Sequence, residues 1–313
     1  MHVLVTGASG FAGRYVVREL LAHGHRVSGL DAHVEQWHPD VPIRMVDVTD
    51  AVQLETTIAE LKPEGCIHLA GMAFVPHAWE APELAVKVNV GGVIHLMEAF
   101  RKHKPDARIV VVSSSEVYGR GTRERMIDED CALEPSNLYG VTKAAADQGA
   151  RAYATHHGMQ VCTARPQNHI GVGQSDQFVV SSFASQLADF AQGRTRGDMC
   201  VGNLDSERDF TDAHDIARAY HLLMESGEAG EAYNIASGRN VKIQVILESL
   251  CVIAGVSPSI RIDKALFRPT DRPALLNVQK IQAATGWQPT VPLEQSLKDI
   301  YRDIAERRGG EHA

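Results

Sequence analysis

The segment HVLVTGASGFAGRYVVRELLAHG, residues 2–24, constrains the fold more than any other part of the chain. A short apolar run ends in three glycines, and apolar residues at helical spacing then continue until Gly24 stops them. That order predicts a buried strand, a tight turn and a helix. The same rhythm recurs. HRVSGLD, PIRMVDV, GCIHLAG, ARIVVVSSS and MQVCTARP read as further strands. AVQLETTIAELK, ELAVKVNVGGVIHLMEAFRKH and SNLYGVTKAAADQGARAYATHHG read as helices between them. Parallel strands need crossovers of a dozen or more residues, so this alternation predicts an α/β fold with a doubly wound parallel sheet of the Rossmann type.

After Pro166 the rhythm changes. NHIGVGQ is a glycine-containing loop and FVVSSFASQLADFAQG a helix. MCVGNLDSERDFTDAHDIARAYHLLMESG suggests a strand, a turn and a helix. PLEQSLKDIYRDIAERR closes the chain as a helix. Residues 1–166 are expected to form a nucleotide-binding domain. Residues 167–313 are expected to form mainly a smaller α/β substrate-binding lobe, partly interleaved with the first domain and capping the C-terminal edge of its sheet.

The bulk composition excludes more than it identifies. The net charge of −8 argues against nucleic acid or an anionic membrane as the main partner, but not against a small anionic ligand. Five scattered cysteines without a C-x-x-C pair fit a reducing cytoplasm. The fifteen histidines form no metal-binding pattern of the H-E-x-x-H kind, and no metal is expected. The opening decapeptide has no basic leader before a long apolar run, and no stretch reaches the length of a membrane span.

TGASGFAG places Gly7, Gly10 and Gly13 between the first strand and the first helix. Glycines there let the chain turn tightly, let backbone N–H groups approach a pyrophosphate, and let the helix pack on the sheet. Asp31 ends the second strand, where a carboxylate accepts hydrogen bonds from ribose hydroxyls and repels a 2′-phosphate. NAD(H) is therefore expected over NADP(H), with Arg14 and His33 as nearby donors that soften the preference. Asp47 and Val48 follow the third strand, at the expected place of an adenine, although Asp47 can equally cap the next helix.

SSSEVYG ends the fifth strand, so topology alone brings Ser114 and Glu116 to the ligand crevice. LYGVTK then opens a helix with Tyr139 and Lys143 one turn apart on one face. A phenol titrating near 10 is a poor acid–base group at neutral pH, and a neighbouring ammonium together with a positively charged nicotinamide ring would favour its ionised form.

The four ordered motifs TGASGFAG, HLAG, SSSEVYG and YGVTK resemble those of the extended short-chain dehydrogenase/reductase family along nearly the whole chain. That resemblance implies a catalytic group of Ser114, Tyr139 and Lys143, with Tyr139 as the acid–base residue and Lys143 as its tuner. It implies cofactor contacts from Gly7, Ser9, Gly10, Phe11, Gly13, Asp31, Asp47, Val48, Leu69, Ala70, Gly71, Tyr139 and Lys143. NHIGVGQ, VGNLDSERDF and FRPTD further resemble the GDP-mannose branch, which contains a 4,6-dehydratase and a 4-keto reductase. The substrate contacts implied are Ser115, Asn168, Val201, Arg208, Arg268 and Asp271. Arg208 and Arg268 can fork onto phosphate oxygens, with Arg272 a further donor of that kind.

The expected activity is NAD(P)H-dependent reduction of the 4-keto group of a GDP-4-keto-6-deoxyhexose. Glu116 keeps a dehydratase open, because it stands where family dehydratases carry the base that abstracts the carbon-5 proton. An epimerase or another GDP-sugar dehydrogenase is a further alternative. A non-catalytic NAD(H) sensor fits less well, since the serine, tyrosine and lysine are all present. Helices around residues 84–103 and 138–157 are expected to pair two copies of the chain through a four-helix interface.

Overall fold

A computed structural model describes residues 1–33, 37–119, 126–266 and 274–310. From the N-terminus run β1 (His2–Thr6), α1 (Phe11–Ala22), β2 (Arg26–Asp31), β3 (Ile43–Met45), α2 (Ala51–Leu61), β4 (Gly65–His68), α3 (Val75–Glu80) and α4 (Pro82–Val86). They are followed by α5 (Gly92–His103), β5 (Arg108–Val112), α6 (Leu138–His157), β6 (Val161–Pro166), β7 (Asn168–Ile170), α7 (Val179–Ala191) and β8 (Met199–Val201). The rest of the chain forms β9 (Glu207–Arg208), β10 (Phe210–Asp212), α8 (Ala213–Ser226), β11 (Ala232–Ile235), β12 (Val241–Lys242), α9 (Ile243–Ala254), β13 (Ile260–Ile262), α10 (Gln279–Thr285) and α11 (Leu293–Gly310).

The described residues contain one seven-stranded parallel sheet, ordered β11-β6-β5-β4-β1-β2-β3. The chain winds outward from β1 to β3, then restarts at β4 on the other side of β1. The reversal between β1 and β4 opens a crevice at their C-terminal ends, where doubly wound sheets bind ligands. Strands such as RIVVV are β-branched and covered on both faces, which is why they read as unbroken apolar runs rather than alternating ones. The core on one face joins Leu4, Leu54, Ile58, Leu96, Phe100 and Ile109, all essentially without exposure.

Two expectations change in detail. The expected single helix from Glu83 to His103 is two, α4 and α5, separated by a π-helical turn over Lys87–Gly91. The sheet also takes a seventh strand, β11, from late in the chain. It has no counterpart among the strands expected from sequence, because AYNI is four residues long and flanked by loop residues.

The chain divides into two compact units. The first combines Met1–Gln167 with Ile216–Ile235 and Leu276–Gln288. The second comprises Asn168–Asp215, Ala236–Leu275 and Pro289–Ala313. It has its own core, in which Phe183, Leu187, Ile246, Leu250 and Ile300 pack together from α7, α9 and α11.

Candidate active site and nucleotide loop

The turn from β1 into α1 is built around its glycines. Gly7 has φ +70°, the left-handed region that side chains disfavour. A Cβ on Gly13 would lie 2.1 Å from the Gly7 carbonyl oxygen and 2.8 Å from Ala8 Cα, so only glycine lets α1 start this close to the loop. Gly10 is the N-cap of α1 and brings no side chain to that end. The Asp31 carboxylate accepts hydrogen bonds from the backbone N–H groups of Ser9, at 2.9 Å, and His33, at 3.2 Å. The end of β2 is thereby tied to the glycine turn. Arg14 is not a freely solvated side chain: its Nε donates to the Ser9 carbonyl at 3.0 Å, and its guanidinium lies 5.7 Å from the Trp37 ring centre. A bare-backbone loop at the positive end of a twelve-residue helix, flanked by a carboxylate, fits a dinucleotide's pyrophosphate and ribose.

Asp47 does not cap the following helix. Asp50 does so, accepting from Val52 N–H at 3.1 Å and Gln53 N–H at 3.0 Å. Asp47 instead accepts from Thr49 N–H at 2.8 Å in a local turn. Val48 is buried, and its carbonyl oxygen sits 3.0 Å from His95 Nδ1. At the end of β4, Ala70 N–H donates to Thr6 Oγ1 at 3.2 Å, which fixes the Leu69–Gly71 strand exit beside the glycine turn.

The second half of the site gathers around α6. Asn137 caps this helix, its Oδ1 accepting the Gly140 N–H at 2.8 Å, while its Nδ2 donates to Glu116 Oε2 at 2.7 Å. One side chain thus starts the helix that carries Tyr139 and Lys143 and also orients Glu116. Ser114 follows β5, and its Oγ accepts the Glu116 N–H at 3.2 Å. Ser114 is close enough to the Tyr139 phenol to offset part of the rise that burial gives its pKa. Lys143 Nζ donates to the Val112 carbonyl at 2.7 Å. Ser114, Tyr139 and Lys143 are each buried. Ser114 and Tyr139 thus lie together, Lys143 sits one turn further along α6, and Glu116 stands at the exposed margin.

Burial sets the protonation of this cluster. The Tyr139 phenol is pushed up to about 12, mainly by burial, against the lowering effect of Ser114 and with Glu116 adding a smaller rise. Lys143 falls to about 8 by burial, opposed by the Asp147 carboxylate one turn further along α6. The ammonium is directed at a backbone carbonyl, and Tyr139 stays a neutral phenol. Nearby His68 is lowered to about 3, by burial first and then by the Lys143 charge, so it is a neutral imidazole bonded to Thr6.

Three residues that sequence reasoning missed support this arrangement. Asn89, buried in the π-helical turn, accepts from Met72 N–H at 2.8 Å and donates to Thr142 Oγ1 at 2.9 Å. It thus ties the loop after β4 to α6. A Cβ on Gly71 would meet Asn89 Oδ1 at 3.0 Å and Lys143 Nζ at 3.5 Å, so the missing side chain keeps a hollow beside the ammonium. The available signal was a lone asparagine in the apolar run AVKVNVGGV. Below the cluster, Arg165 forks onto Asp147 through Nε and Nη2, both at 2.9 Å, and donates from Nη1 to the Tyr118 hydroxyl at 2.8 Å.

The expected substrate residues divide between the units. Ser115, in the first unit, donates to Gln167 Oε1 at 3.0 Å. In the second, Asn168 is exposed and donates to the Asp209 carbonyl at 3.1 Å. Arg208 donates to the Glu207 carbonyl at 2.6 Å. Val201 has no exposure and belongs to the second core. Arg268, Asp271 and Arg272 lie outside the described residues.

A doubly wound parallel sheet, a glycine turn at its switch point and a Ser–Tyr–Lys cluster at its C-terminal edge define an extended short-chain dehydrogenase/reductase. The chain belongs to the family described as GDP-mannose 4,6 dehydratase, whose model matches residues 4–300. It is 34% identical to the GDP-6-deoxy-D-mannose reductase of Pseudomonas aeruginosa, covering 98% of both chains. It is 25% identical to a GDP-mannose 4,6-dehydratase of Vibrio cholerae, over 97% of this chain and 94% of that protein. The solved structure of RMD from Pseudomonas aeruginosa, complexed with NADPH, superposes with a TM-score of 0.86 at 33% identity, covering 98% of this chain and 99% of that one.

Proposed function

We propose that this protein reduces the 4-keto group of a GDP-linked 4-keto-6-deoxyhexose, yielding a GDP-rhamnose-type product. The observation that carries this reading is the end-to-end similarity to a GDP-6-deoxy-D-mannose reductase, at 34% identity against 25% for a dehydratase. The protonation of the site supports it, because reduction needs a proton donor and Tyr139 is held as a neutral phenol.

A bound dinucleotide supplies the hydride, and this chain's residues supply geometry and protons. Ser114 Oγ hydrogen-bonds the substrate carbonyl oxygen as charge develops on it. Tyr139 gives its phenolic proton to the forming alkoxide, which is the stronger base. The Lys143 ammonium stabilises the phenolate left behind. Glu116, oriented by Asn137, accepts a hydrogen bond from a sugar hydroxyl. Gly7, Gly10, Gly13 and the backbone of Ser9 and Phe11 would hold the pyrophosphate. Leu69, Ala70 and Gly71 would lie toward the nicotinamide, and Asp47 and Val48 would border the adenine. Asn168, Arg208, Arg268 and Asp271 serve the GDP moiety, together with Ser115 near the sugar and the strand around Val201.

Asp31 sets a preference for NADH, although the Pseudomonas structure was solved with NADPH. Its carboxylate would accept from the ribose hydroxyls, and a 2′-phosphate would meet that charge. The Asp31→Asn variant should move the kcat/KM ratio toward NADPH, and a wild-type enzyme that already prefers NADPH would overturn the assignment. The protein works as a homodimer. Leu84, Val86 and Val141 on α4 and α6 are about half exposed and supply apolar surface for a four-helix interface. It acts in the cytoplasm, in keeping with its free cysteines.

The presence of Glu116 beside the cluster favours one second reading, a dehydratase in which this carboxylate takes the carbon-5 proton. Paired assays separate the two. Oxidation of NAD(P)H by GDP-4-keto-6-deoxymannose, with GDP-mannose left unchanged, supports the reductase. A keto product formed from GDP-mannose alone supports the dehydratase and refutes the proposal.

A further inference from the structure

A second cluster of reactive side chains lies at the opposite edge of the same sheet. His25 immediately precedes β2, on the side away from Asp31. His221 and Glu225 lie one turn apart on α8, and Glu19 and His23 one turn apart at the end of α1. The Gly24 turn, at φ +77°, folds His25 back toward them. None of these residues belongs to the redox site.

Three atoms form a nearly regular triangle. His25 Nε2 and His221 Nε2 are 3.1 Å apart, and Glu225 Oε1 is 3.3 Å from His221 Nε2 and 3.6 Å from His25 Nε2. A tetrahedral ion with ligand bonds of roughly 2.0–2.1 Å has ligand atoms about 3.3 Å apart. The triangle is therefore one face of such a tetrahedron. The other nitrogen of His221, Nδ1, faces Glu19 Oε1 at 3.4 Å, the carboxylate–imidazole pairing that orients metal-bound histidines. A simple N–H···N bond accounts for the two imidazoles, but not for a carboxylate reaching both nitrogens.

We propose that His25, His221 and Glu225 form a binding site for one divalent transition ion of the zinc class, with Glu19 as a positioning residue for His221. Nitrogen and carboxylate donors suit such ions better than magnesium or calcium. His25 and His221 side chains are 8% and 3% exposed, so the ion sits partly out of water. The ion clamps the turn between α1 and β2 onto α8. It lies far from the glycine turn in the topology, so its role is structural. This proposal does not depend on the sugar-nucleotide assignment.

The test uses tag-free protein treated with a chelator and then titrated with Co²⁺, followed by visible absorption and by thermal unfolding. One equivalent per chain should give the ligand-field bands of a tetrahedral ion, displaceable by Zn²⁺, and should raise the melting temperature without changing kcat. Glu225→Gln, at a half-exposed side chain that the fold tolerates, should weaken Co²⁺ binding by roughly tenfold or more. His157→Gln, on the exposed end of α6, should leave it unchanged. Absence of tetrahedral bands in the wild-type protein overturns the proposal. So does binding that survives Glu225→Gln and His25→Asn undiminished, or that His157→Gln abolishes.

Discussion

Replacing Asp147 by asparagine tests the buried support under the active site. Asp147 is 0% exposed and Arg165 1%, so neither charge can turn to water. The carboxylate accepts two guanidinium N–H groups at 2.9 Å, while the remaining guanidinium contacts are to the Tyr118 hydroxyl and the Glu129 carbonyl. An asparagine offers one acceptor in place of two and no charge. The substitution therefore strands a buried cation, a change that costs about 3–5 kcal/mol. Against a typical total of roughly 5–15 kcal/mol that is a large share. Equilibrium urea unfolding followed by circular dichroism measures it. The double variant Asp147→Leu with Arg165→Met, which removes both charges, should recover most of the loss. A cost for Asp147→Asn below about 1 kcal/mol, the range of surface pairs, would refute the reasoning. A double variant no more stable than the single one would do the same. The substitution also reaches the site: Asp147 raises the Lys143 pKa, so its loss should lower that pKa and shift the alkaline fall in activity to lower pH.

Further expectations concern the cluster and the loop directly. Tyr139→Phe should lower kcat by roughly a hundredfold to ten-thousandfold, with the fold intact by circular dichroism and nucleotide binding retained. Lys143 is protonated below its folded pKa of about 8 and neutral above it, so kcat should fall as pH rises through about 8. Tyr139, at about 12, adds no break in that range, and a rate that stays flat well above pH 8 would contradict the assignment. Gly13→Ala places a Cβ 2.1 Å from a backbone oxygen that cannot move without shifting the turn. It should weaken NADH binding, followed by nucleotide fluorescence, by more than tenfold.

The sequence carried the parallel sheet because each buried strand is a short apolar run and each crossover keeps a helical period. It carried the Ser–Tyr–Lys cluster because three residue types sit at strand and helix ends that the topology must bring together. The seventh strand was not legible: its partner is β6, about seventy residues earlier, and nothing local in AYNI records that pairing. Asn89 and the Asp147–Arg165 pair were hidden for the same reason, since each acts through contacts distant in sequence. The direction of the Lys143 side chain was not legible either, because proximity along a helix face does not fix where a lysine points. Lys143 donates to the Val112 carbonyl, and burial is the largest influence on both groups. The cluster of His25, His221 and Glu225 was hidden because it joins the turn into β2 to α8, nearly two hundred residues apart.

The most direct test of the account follows the hydride itself. The protein is incubated with GDP-4-keto-6-deoxymannose and NADH carrying deuterium at the transferable position, with labelled NADPH in parallel, and the product is read by mass spectrometry and proton NMR. The account predicts stoichiometric oxidation of the nucleotide and one deuterium on carbon 4 of a 6-deoxyhexose still linked to GDP. An unlabelled keto sugar appearing instead from GDP-mannose, with no net oxidation of the nucleotide, would contradict it.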